Sequence, residues 1–290
     1  MTIKGAGHGG THGGTHGGTH GGTHGGTHGG THGGTHIAMG PGSGTVIPAN
    51  MPLPSSAANA ETSIVRGLSF GDQNCHPDLW VIAKYNEIFA VLSPDDDRFG
   101  AALTSITPAS DEDNWSKILD RKNALQDYFS ETADQSGNFD HYYHNVLSIN
   151  TRSHPNTARL IALGMSVAGV IGLYWKMKFN RPRPAQMMPG LFPLLPTPAH
   201  PTFPSNHATQ SHTVTALLKH ALTGAAETAY ARRLDELAKR VSENRERAGL
   251  HVADDTAGGI ALAQVVTERL LEVGFVKDEL IPGCRAELQI

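Results

Sequence analysis

The run LIALGMSVAGVIGLYW, Leu160–Trp175, constrains this chain more than any other feature: 16 consecutive residues carry no charge. That much apolar surface has to leave water. At 16 residues it falls short of the roughly 20 needed to span a bilayer, so it reads as a buried core helix. The N-terminus offers no signal peptide either, since Lys4 is followed by glycine and histidine rather than an apolar core. The expectation is a soluble chain that is not membrane-spanning, its compartment (cytoplasmic or periplasmic) left open.

Around this run the pattern is helical. DLWVIAKYNEIFAVL keeps apolar residues near 3.6 spacing, and DEDNWSKILDRKNALQDYFSE puts Trp115, Ile118, Leu119 and Leu125 on an expected inner face. Ser153 and Pro155 start a helix that runs through Leu160 and Met165 toward Lys176. Further on, Tyr230, Leu234, Leu237 and Val241 form one stripe of a helix that ends at Gly249, and a last helix runs from about His251 to Val273. Apolar and polar residues never alternate for long, so strands are not expected. The fold class predicted is all-α, a helix bundle.

The first 50 residues stand apart. Residues 8–36 repeat HGGT with a period of four and hold eight of the 17 histidines. Glycine-rich and nearly free of large apolar groups, they cannot offset the entropy of ordering. The repeat reads as an engineered metal-affinity tag, with a natural metal-scavenging tail as the alternative. A linker rich in Pro, Gly and Ser follows. The division expected is a disordered tail over 1–50 and one helical domain over 51–290, its first ordered residue falling between 50 and 62. A net charge of −4 gives no basic stripe for nucleic acid. Cys75 and Cys284 allow one disulfide or none. Whether the chain forms a homo-oligomer is left open.

Three clusters carry chemistry. In KMKFNRPRP, Lys176 falls on the last helical turn and Arg183 on the loop after it, because Pro182 and Pro184 stop the helix. In PTFPSNHAT, Ser205 is an N-cap, and the free N–H groups behind it with the helix dipole suit a phosphate-like anion, with His207 projecting from the first turn. In NRERAGLHVADD, Arg245 closes one helix and His251 opens the next. Asp255 lies four residues on, near enough to orient the imidazole. Taken singly these are a basic helix end, a capping serine and a structural His/Asp pair. Together they are what an in-line displacement at phosphorus requires: cations and N–H groups for the oxygens, one histidine to attack and one to protonate the leaving oxygen.

The spacing K-x6-R-P (Lys176 to Pro184), P-S-x-H (Pro204 to His207) and R-x3-G-x-H-x3-D (Arg245 to Asp255) resembles the type 2 phosphatidic acid phosphatase and vanadium haloperoxidase superfamily. The resemblance covers residues 176–255. It implies that Lys176, Arg183 and Arg245 hold the oxygens of phosphate or vanadate, with Ser205 and the backbone N–H of Asn206 completing the cradle. It further implies that His251 is the nucleophile forming a phosphohistidine, or the protein ligand to vanadium in a peroxidase. Asp255, rather than the neighbouring Asp254, orients His251, and His207 is the general acid.

The family usually has glycine where Asn206 stands. Asparagine is similar to the variant of some bacterial diphosphatases, and its side chain is expected to crowd or hydrogen-bond the cradle. His200 matches a histidine that algal bromoperoxidases carry near vanadate. Since Asn206 belongs to the cradle itself, the leading expectation is a metal-independent phosphohydrolase acting on a phosphomonoester or diphosphate, with no cofactor. The alternative is a haloperoxidase that binds vanadate and takes halide and peroxide. A non-catalytic anion-binding or scaffold protein is the third reading.

Overall fold

A computed structural model describes residues 75–289. The HGGT repeat, the linker and the expected domain start between 50 and 62 lie outside the described residues. Among those described there are helices and no strands. Helices α1 (Pro77–Ala83), α2 (Tyr85–Val91), α3 (Asp97–Thr104), α4 (Asp111–Asn123), α5 (Leu125–Asp134) and α6 (Asp140–Leu147) precede the long α7 (Pro155–Phe179). The short α8 (Pro184–Met187) is followed by α9 (Asn206–Ala221), α10 (Gly224–Arg247), α11 (Ala253–Leu271) and α12 (Ile281–Glu287). Cys75 and Cys284 are both free.

α9 is the hub: it packs on α7, α10 and α11. Two close approaches make this packing. A Cβ at Gly172 of α7 would lie 2.1 Å from Asn206 Oδ1, and one at Gly259 of α11 would lie 2.6 Å from the Ser205 carbonyl. Only glycine leaves room at either place, so the first turn of α9 is wedged between two helices. The N-terminus of α7 is held from the far end of the chain. Glu287 accepts the backbone N–H groups of Asn156 at 2.9 Å and Thr157 at 2.8 Å, which satisfies donors that have no intrahelical acceptor.

Three expectations need correction. The two early helical patterns are each broken once, at Lys84 and at Ala124, both in a helical or near-helical conformation. Leu119 is 46% exposed, whereas Ile118 is buried. One residue advances a helix by about 100°, which carries Leu119 off the face that α4 turns to α10. The third correction concerns the membrane. α7 continues past Trp175 to a total of 25 residues, and Pro155–Met187 contains an 18-residue stretch of mean hydropathy 1.6. By length and composition this helix is able to cross a bilayer, although 61% of that stretch is buried within the protein. The argument from a run too short to span therefore fails, and with it the expectation of a soluble, non-spanning chain.

Candidate active site

The three clusters meet in one place. Lys176, Arg183, His200, Asn206, His207, Arg245 and His251 line a single narrow cavity. Lys176, Arg183 and Arg245 are each at most 2% exposed. Lys176 Nζ donates to the carbonyls of Pro201 at 3.1 Å and Thr202 at 2.6 Å. Arg183 donates from Nε to the His200 carbonyl at 2.9 Å and from one terminal nitrogen to the Leu250 carbonyl at 3.0 Å. Arg245 donates to the Thr132 carbonyl at 2.6 Å, and its Nε is buried with no hydrogen-bond partner among the described residues. Among the described residues the hydrogen-bond partners of all three are carbonyls and imidazoles. Asp255 acts on Lys176 and Arg183, and Glu131 on Arg245, through charge without a hydrogen bond. Burial pulls the Arg245 guanidinium down to about 10. Buried cations without a hydrogen-bonded carboxylate are costly, and an oxyanion in the cavity offsets that cost.

His251 sits in the loop between α10 and α11, made possible by Gly249 at φ +74°. It precedes the helix rather than opening it, because α11 starts at Ala253. Asp255 stands at the third helical position, where Oδ2 accepts the backbone N–H of Val252 at 3.1 Å and so closes the helix start. The same oxygen is 3.1 Å from His251 Nδ1. On the other side of the ring, Arg183 lies 3.1 Å from Nε2. A guanidinium only donates, so Nε2 accepts and Nδ1 carries the hydrogen. The lone pair of Nε2 is thereby turned toward the cations. Burial first, then Arg183 and Lys176, holds the imidazole well below its usual range, so it is neutral. Asp254 is engaged elsewhere, accepting from Asn114 Nδ2 at 2.9 Å and Ala109 N at 3.1 Å.

His207 presents the opposite geometry. Its Nε2–H donates to the Gln135 carbonyl at 2.9 Å, and its ring stacks on Phe139 with centroids 5.3 Å apart. Nδ1 is then the nitrogen able to take up and deliver a proton. Gln135 caps the C-terminus of α5, and Thr132, which holds Arg245, is in its last turn. The carbonyl end of one helix thus steadies both the candidate acid and a cation, as its dipole favours. Burial first, then Arg245, holds His207 well below its usual range.

Two residues sit differently from the sequence expectation. Ser205 is fully buried, accepts Ala208 N at 3.5 Å and does not line the cavity. Asn206 lines the cavity, and its amide reaches α7, where Nδ2 donates to the Gly169 carbonyl at 3.2 Å. The space left by Gly172 explains this. Three contributors were not legible beforehand. Thr202 Oγ1 is 2.6 Å from Asp255 Oδ2, Arg181 reaches Asp255 Oδ1 at 3.3 Å, and the Gln135 carbonyl fixes His207. Arg181 stood in the NRPRP segment as a visible cation, and Thr202 three residues before the capping serine. The Gln135 contact uses backbone and left no trace in the sequence.

No family model matches the chain, and no curated protein does. Among solved structures the chain is similar to a transmembrane PAP2-type phosphatidylglycerolphosphate phosphatase from Bacillus subtilis. The identity is 13% and the TM-score 0.33, over 67% of this chain and 94% of that one. The length and apolar composition of α7 stand against the expectation of a soluble chain in either compartment.

Proposed function

We propose that the chain is a phosphohydrolase of the superfamily its motifs resemble, acting on a phosphomonoester or diphosphate through His251. One observation carries the reading: three buried cations, none hydrogen-bonded to a carboxylate among the described residues, line one cavity with a neutral imidazole whose lone pair faces Arg183. Lys176, Arg183 and Arg245 take the equatorial phosphoryl oxygens and offset the charge that builds up in the transition state. His251 Nε2 forms a bond to phosphorus as the bond to the leaving oxygen breaks, and Asp255 balances the charge gained by the ring. A protonated His207 gives its Nδ1 hydrogen to the leaving oxygen, then takes one from the water that hydrolyses the phosphohistidine. The dianion itself raises the proton affinity of His207 on arrival. The test is hydrolysis of p-nitrophenyl phosphate by the purified chain, with trapping of phosphate on His251. No hydrolysis, or phosphate on another residue, overturns the reading.

A second reading rests on His200, which lines the cavity and lies 3.0 Å from Arg183. Vanadate fits the same residues: the unpartnered Nε of Arg245 and the other cations suit its oxygens, and Nε2 of His251 suits vanadium. When bound, vanadate would supply activation of peroxide for halide oxidation. Dye bromination with vanadate and peroxide, run beside the phosphatase assay, ranks the two.

A further inference from the structure

Thr202 is 1% exposed and lies between the His251–Asp255 pair and Lys176. Its hydroxyl donates to Asp255 Oδ2 at 2.6 Å, while Oγ1 stands 3.0 Å from His251 Nδ1. Its carbonyl accepts Lys176 Nζ at 2.6 Å, and its N–H donates to the Arg181 carbonyl at 3.0 Å. A hydroxyl has one hydrogen. With that hydrogen on Asp255, an oxygen lone pair faces Nδ1, so the Nδ1–H of His251 has two acceptors. The carboxylate is fixed from three sides: by Thr202 and Val252 on Oδ2 and by Arg181 on Oδ1.

We propose that Thr202 is a positioning residue for the nucleophilic histidine: its hydroxyl locks Asp255 in place and gives the Nδ1–H of His251 a second acceptor. Through its carbonyl the same residue sets the height of Lys176 over the cavity, so cation and nucleophile are aligned by one short segment. The inference rests on the reading of His251 as the nucleophile. Thr202→Val keeps the shape and the backbone contacts and removes only the hydroxyl; Thr202→Ser keeps the hydroxyl.

The full chain with ring-¹⁵N histidine gives the decisive measurement. In the native protein the His251 Nδ1–H, assigned by its loss in His251→Gln, is expected as a downfield, exchange-protected proton resonance. In Thr202→Val it should move upfield or vanish through exchange, and Thr202→Ser should restore it. Turnover of p-nitrophenyl phosphate should fall about 10–100-fold in kcat for the valine form, as for other outer partners of a site histidine, with KM little changed. Thr202→Ala, which adds no bulk, gives the same comparison should the valine form not fold. An unchanged resonance in both the valine and alanine forms, or a serine form as impaired as valine, overturns the proposal. If the native chain hydrolyses no ester, the phosphatase reading fails, while the resonance still decides the role of Thr202.

Discussion

The Asn206 side chain occupies the space that a Cβ on Gly172 would need: that Cβ would stand 2.1 Å from Asn206 Oδ1. The pair explains how the asparagine side chain is accommodated against α7 beside the anion cradle. Asn206→Gly is therefore expected to lose the bond to the Gly169 carbonyl, about 1 kcal/mol, and to leave the ratio of bromination to phosphate hydrolysis unchanged. Gly172→Ala pushes on Asn206 from behind and is expected to destabilise the fold by about 1–3 kcal/mol. Urea unfolding of both variants measures the first effect, and the paired assays measure the second. A rise in bromination in Asn206→Gly would show that the side chain does obstruct the site.

The two site histidines should separate by leaving group. His251→Ala removes the atom that bonds to phosphorus, so no phosphohistidine forms from any ester. His207→Ala removes a proton donor, a loss of about 10²–10⁴-fold that falls hardest on poor leaving groups. An aryl phosphate, whose phenolate leaves without a proton, should still phosphorylate His251 in that variant. Rapid quenching without acid, followed by mass spectrometry of the peptide containing residue 251, reads the outcome. Phosphate found on His207 would invert the two roles.

Chelation tests whether the three cations carry the charge alone. EDTA is expected to leave phosphate hydrolysis unchanged, and micromolar-range orthovanadate to inhibit it, because vanadate copies the five-coordinate transition state. Steady-state rates with and without chelator suffice. Activity lost on chelation and regained with zinc or magnesium would mean that Lys176, Arg183 and Arg245 need a metal beside them.

How much of this was legible depends on what each contact is made of. Lys176, Arg183, His207, Arg245 and His251 stood out because chemistry-bearing side chains sit at fixed spacings near helix ends, and they do share one cavity. Thr202 did not, because its partner Asp255 is 53 residues away and only the α9 and α11 junction brings them together. The reason given for Asp255 was also incomplete. Its spacing from His251 suggested one helical face, yet His251 is in a loop and Asp255 reaches it while closing the start of α11. For α7 the sequence reading carried the helix to Lys176 but judged its span by the uncharged run alone, whereas the backbone continues through Lys178 to the left-handed Asn180.

The last prediction follows from the neutral histidines. His207 and His251 are both held well below the ordinary 6.5, first by burial and then by the cations around them, and burial takes His212 to about 4. A histidine depressed in the folded state binds its proton more readily when unfolded. Its contribution to stability is complete above the unfolded value and is lost as pH falls below it toward the folded one. Each such histidine then costs about 1.4 kcal/mol per pH unit below its unfolded pKa. Asp78, raised to about 6 by burial, acts in the opposite sense, as does Asp255. These groups are common to a native and a His207→Gln protein, so the difference between the two isolates His207. Urea midpoints at pH 8, 7, 6 and 5 should converge or cross as pH falls, with the glutamine form losing less stability between pH 7 and 5. Parallel curves would mean that His207 takes up its proton equally in both states, and that neither its burial nor Arg245 keeps it neutral.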